Sequence, residues 1–86
     1  METRVAMIAI VVENQENVDE LNQLLHRNAQ YIIGRMGIPY QKREISLISV
    51  AVDAPADVIS SLSGKIGMLK GITAKTVYSK LPEKTS

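Results

Sequence analysis

Ile45-Ser-Leu-Ile-Ser-Val-Ala-Val-Asp53 is a strand with two different faces. Ser46, Ile48, Val50 and Val52 form one row, mostly large and branched. Leu47, Ser49 and Ala51 form the other, mostly small. Side chains alternate across a strand, so the rows look to opposite sides of a sheet. An apolar run of this kind belongs near the middle of its sheet, where both faces are covered.

Upstream, residues 4–13 read as a second strand of this type. Ile8, Ile10 and Val12 are large, while Val5, Met7, Ala9 and Val11 make a second apolar row. Polar residues Glu13 to Glu16 start a turn. Asn17 is placed to cap a helix, with Glu20 three residues on as in a capping box. Val18, Leu21, Leu25, Ala29 and Ile32 then recur at helical spacing, which predicts a helix of about three turns ending near Gln30. Tyr31 to Met36 reads as a strand interrupted by Gly34, and Gly37, Ile38 and Pro39 as a turn or strand exit.

Downstream of Asp53, Pro55 fits a helix start. Val58, Ile59, Leu62, Ile66 and Leu69 share one helical face, and Gly71 supplies the C-terminal cap. Ile72 to Lys80 is the last strand. Residues 1–80 thus form one domain, and the polar tail at 81–86 is expected to be disordered. The order βαββαβ is an α+β, ferredoxin-like arrangement: a four-stranded antiparallel sheet with two helices on one face and the first and third strands at its centre. Two helices cover one face only. The row Val5, Met7, Ala9, Val11, with Leu47 and Ser49, is too apolar to stay wet, so a homodimer or higher homo-oligomer is expected to bury it.

With 86 residues the chain supports one modest core, and without cysteine it has no disulfide or thiolate metal site to reinforce that core. Ten Lys and Arg stand against nine Asp and Glu, far from the basic footprint of a nucleic-acid binder. The apolar run Val5 to Val12 is well short of the ~20 residues that span a bilayer. No small-residue cleavage pattern follows it, so it reads as a buried strand rather than a leader, and the chain as cytoplasmic.

His26 is the only histidine. It has no second His and no Cys to share a metal with, and no nucleophile motif surrounds a serine, so neither a metal site, a cofactor nor an enzyme is expected. Ser63-Gly64-Lys65 lacks the earlier glycine of a phosphate loop, since position 59 is Ile. The line Ser60, Gly64, Gly67, Gly71 is compatible with close approach of another chain and equally with a weak helix end. Glu13 and Asn14 in the first turn, and Gly34, Arg35 and Gly37 beyond the first helix, are the candidate ligand-binding residues. The turn collects polar groups, the glycines allow close backbone approach, and Arg35 offers a planar fork to an anion. The alternatives are ordinary capping at the turn, and a bulge with a solvated Arg35. The central strands carry no aromatic residue for stacking on RNA.

Val-Glu-Asn at 12–14, Tyr-Ile-Ile-Gly-Arg-Met-Gly-Ile-Pro-Tyr at 31–40, Ile-Ser-Leu-Ile-Ser at 45–49 and Leu-Ser-Gly-Lys-Ile-Gly at 62–67 resemble the regulator family of the iron-only hydrogenase system. The resemblance extends to Lys80, and the block Tyr31–Tyr40 is its specific part. It implies a fold similar to ACT domains and to the C-terminal domain of the nickel-responsive repressor, whose members are regulatory, oligomeric and ligand-sensing. The Asp-x-x-Gly turn of amino-acid-binding ACT domains is not matched by Glu13-Asn14-Gln15-Glu16, and the repressor's nickel ligands have no counterparts after His26. With no DNA-binding segment in the sequence, regulation is expected to run through another protein. The leading expectation is a regulatory module that senses a small molecule or modulates a hydrogenase-related partner. The alternative is an accessory protein that binds a maturation enzyme without sensing a ligand.

Overall fold

In the computed structural model, which describes residues 2–80, the elements run β1 (Arg4–Val12), α1 (Val18–Arg27), β2 (Ile32–Tyr40), β3 (Ile45–Ala54), α2 (Ala56–Gly67) and β4 (Ile72–Tyr78). The tail at 81–86 lies outside the described residues. The four strands form one antiparallel sheet in the order β2-β3-β1-β4, so the two-faced strand and the first strand are central as their composition demands. This is the split βαββαβ arrangement of ferredoxin-like folds.

Both helices lie on the face carrying the larger row. Ile8, Ile10 and Val12 of β1 and Val50, Val52 and Ala54 of β3 are buried there against Leu21 and Leu25 of α1 and Ile59, Leu62 and Ile66 of α2. A hydroxyl bridge ties α2 to the outer strand, Thr76 Oγ1 donating to Ser63 Oγ at 2.8 Å. Two residues further along β4, the Arg4 guanidinium stacks 4.2 Å from the Tyr78 ring centroid.

Several local details differ from the pattern reading: α2 ends at Gly67 with Met68, not Gly71, as its C-cap, and β4 stops at Tyr78. α1 ends at Arg27 instead of near Gln30, because Asn28 leaves helical geometry (φ −110°, ψ 20°) and its Nδ2 donates to the Leu24 carbonyl at 2.9 Å. That side chain satisfies a carbonyl the next helical turn would have used. Ala29 to Tyr31 then forms a 3-10 turn into β2. β2 also runs on to Tyr40, pairing Gly37, Ile38 and Pro39 with Ile48, Leu47 and Ser46. Proline is admissible because β2 is an edge strand, with one side free of ladder partners. Finally, Asn17 makes no capping bond with its side chain. Its Nδ2 reaches across to the Lys70 carbonyl at 3.0 Å, and Asn14 does the capping instead.

Removing a buried branched side chain from this single core leaves a cavity that the small fold closes poorly. Ile10→Ala is expected to lower unfolding free energy by about 2–5 kcal/mol in urea titration. A loss below ~1 kcal/mol would show that β1 is not the central buried strand.

Candidate functional site

The turn after β1 is built around one close approach. Gly71, at φ 81°, offers its carbonyl to two donors, Glu13 N at 2.7 Å and Asn14 N at 3.2 Å. A Cβ on Gly71 would lie 2.5 Å from Asn14 Cβ, so only glycine fits here, on conformation and on space. Asn14 Oδ1 accepts from Glu16 N at 2.7 Å and starts the 3-10 turn Gln15–Asn17 that leads into α1. Thr73 Oγ1 donates to Glu13 Oε1 at 2.8 Å. Glu13 and Asn14 thus both have a folding role in this turn.

Both residues also line an open cleft of about 710 Å³ between this turn and the β2–β3 connection. Its wall holds Tyr40, Gln41, Arg43, Glu44 and Ser46 opposite Glu13, Asn14 and Gln15, with Pro39 and Ile45 as apolar floor. The connection is a 3-10 turn, Gln41–Arg43, closed by Glu44 in the left-handed region (φ 55°). Amides, a phenol, one guanidinium and two carboxylates can orient a small polar molecule here. No nucleophile paired with a base is among them, and His26 lies elsewhere, exposed on α1.

Gly34, Arg35 and Gly37 do not join Glu13 and Asn14 within one chain. Gly34 pairs with Ala51, which pairs with Met7, six residues before Glu13, or about 20 Å along the strands. Arg35 stands on the helical side of β2, its Nη2 donating to Asn22 Oδ1 at 3.1 Å, in a shallow recess with Leu25, His26 and Ala29. A register shift between Ile32 and Gly34 marks the bulge expected there. Neither Gly34 nor Gly37 is crowded: a Cβ on Gly34 would meet nothing within 4 Å, and one on Gly37 would touch Ile48 Cγ1 at 3.9 Å. Gly64 and Gly67 are equally open. Of the glycines singled out in the sequence, only Gly71 is held by the fold.

The largest unpartnered surface is the sheet's other side. Val5, Met7, Met36, Ile38, Tyr40, Leu47 and Val77 are all exposed hydrophobics on it, from 42% for Leu47 to 67% for Val77. Ala9 and Ser49 lie between them at the centre. Cleft residues Gln41, Arg43 and Glu44 carry no spacing signal, and Tyr40 stands in the sequence only as the end of the Tyr31–Tyr40 block; the hairpin pairing Tyr40↔Ile45 brings them to the first turn's end of the sheet.

Fold and surface together define a small ferredoxin-like α+β domain with a helical face, an open apolar face and a polar cleft at one end of the sheet. Residues 4–76 match the TM1266-like family, described as "Iron-only hydrogenase system regulator, putative", and the chain belongs to that family, as the Tyr31–Tyr40 block indicated. Among solved structures it is similar to the uncharacterized protein TM1266 from Thermotoga maritima, with 32% identity, 92% of this chain and 100% of that one covered, and a TM-score of 0.88. A search of the curated proteins gave no match. No helix among the described residues is long and apolar enough to cross a membrane.

The glycine analysis has a direct test. Gly71→Ala forces a left-handed alanine into Asn14 and is expected to cost about 2–3 kcal/mol of stability. Gly37→Ala is expected to leave stability unchanged or raise it by up to ~1 kcal/mol. Equal losses in the two variants, measured by chemical denaturation, would contradict this assignment.

Proposed function

We propose that this chain is a non-enzymatic, ACT-like regulatory module of the iron-only hydrogenase system, cytoplasmic and homo-oligomeric, which binds a small polar molecule at the cleft of Glu13, Asn14, Tyr40 and Arg43 and modulates a partner protein. The observation that carries this reading is the pairing of a recognition cleft, free of acid–base and nucleophilic machinery, with an apolar sheet face that the chain's own helices leave open. A cleft of hydrogen-bonding groups orients a ligand. An exposed apolar face of this extent passes the effect on by contact with protein. Membership of a family described as regulators of a hydrogenase system supports the same direction. With one histidine and no cysteine, the sequence offers few of the imidazole and thiolate ligands a transition metal prefers, which favours an organic ligand.

Glu13 and Asn14 serve the fold as much as the cleft, so Arg43 is the residue whose loss speaks to ligand binding alone. A thermal-shift screen of amino acids, nucleotides and metals tests the reading. A ligand at a hundred times its dissociation constant stabilises the folded chain by about 2.7 kcal/mol, a rise of roughly 10 °C or more for a domain of this size. The shift is expected for a polar organic compound and is expected to fall to nothing in Arg43→Ala. If no compound shifts the wild-type melting point while the chain co-purifies with a hydrogenase maturation enzyme, the protein is an accessory subunit without a sensing role.

A further inference from the structure

The open face of the sheet carries one cation and one anion within its four strands, Lys75 on β4 and Asp53 on β3, and both are exposed. Neither side chain has an ion-pair or hydrogen-bond partner among the described residues. Their positions are related by the register. Lys75 pairs with Ala9, one strand over and two residues beyond Met7. Asp53 pairs with Val5, and so lies one strand over on the opposite side and two residues short of Met7. Met7 is the midpoint between the two charges.

Met36 completes the pattern. It pairs with Ser49, which pairs with Ala9, placing it two strands from β1 and two residues along from Met7. With strands about 4.8 Å apart and residues about 3.4 Å along, the line from Met7 to Met36 runs at right angles to the line from Lys75 to Asp53. It crosses the sheet between the small side chains of Ser49 and Ala51. A two-fold axis laid on that line exchanges the two charges and sets each methionine against its own copy.

We infer that a second copy of this chain covers the open face about this axis, with Lys75 of each protomer facing Asp53 of the other. A two-fold interface must be self-complementary, and this face is so in charge. Strands of the two sheets then cross at roughly 70°, near the orthogonal class of sheet packing. The face projects about 19 by 25 Å. That projected area, on the order of 475 Å², is the size of the largest, often functional, apolar patch of a monomer, and over two copies it comes to just under ~1,000 Å², the scale of a small interface. Flexible methionines on the axis suit it, since two identical side chains must share the same space.

This inference rests on the reading of the chain as a homo-oligomer and adds the arrangement. The test is sedimentation equilibrium at low salt on the wild type, Lys75→Glu, Asp53→Lys and the double variant. Each single change turns two attractions into two repulsions, and is expected to raise the dimer dissociation constant on the order of tenfold. The double variant is expected to return to wild-type affinity. Singles that associate like the wild type, or a double variant as weak as the singles, would overturn the arrangement while leaving an oligomer in place. A wild-type monomer would overturn the homo-oligomer reading itself. Cross-linking gives an independent check, because the sequence has no cysteine. Met7→Cys is expected to join to itself through a short bis-maleimide, whereas Leu47→Cys, roughly 17 Å from its copy, is not. Equal yields at both positions would contradict the axis.

Discussion

A sheet has two faces, and this chain makes helices enough for one. The rest of the structure follows from that constraint. β1 and β3 are apolar on both sides, which makes them central, and their larger rows take the helical side, where Leu21, Leu25, Ile59, Leu62 and Ile66 pack against them. The smaller rows remain outside with exposed Met7, Leu47 and Val77. An 86-residue domain without disulfides cannot leave that much apolar surface wet at no cost. The proposed assembly removes it from water and makes association part of the fold.

The same constraint locates the cleft. Central β1 must hand the chain to α1 at the end of the sheet where β4 begins, and the contact between the Glu13–Asn14 backbone and the Gly71 carbonyl fastens that corner. The hairpin between β2 and β3 ends at the same edge, so its polar turn stands opposite. The cleft and the open face therefore adjoin at this end of the sheet. Tyr40 belongs to both surfaces, lining the cleft and lying on the open face. In the proposed assembly it would be the residue shared by ligand and interface.

Much of this is legible in the sequence. Alternation in Ile45–Asp53 and Val5–Val12 distinguished the two faces, and the helical stripe of α2 named its buried residues. Local punctuation was harder to read. Asn28 stopped α1 early through a side-chain bond to Leu24, and Pro39 entered a strand because that strand is an edge. Neither effect has a periodic signature. The candidate site was read in two halves that the fold keeps apart: Glu13 and Asn14 line the cleft, while Arg35 reaches Asn22 on the helical side. Cleft residues such as Arg43 come from a turn whose sequence looks merely solvated, and only strand register shows what lies opposite.

Methionine oxidation tests the central claim most directly, because the chain carries its own reference. Met7 and Met36 lie on the open face at 46% and 61% exposure in the isolated chain, whereas Met68, at the end of α2, is 86% exposed and away from the sheet. Peroxide converts accessible methionine to the sulfoxide at a rate that follows exposure. If a second copy covers the open face, Met7 and Met36 will be oxidised much more slowly than Met68 at high protein concentration, and the difference will shrink on dilution as the assembly dissociates. Oxidation of all three at rates that follow their exposure in the single chain, unchanged by concentration, would contradict it.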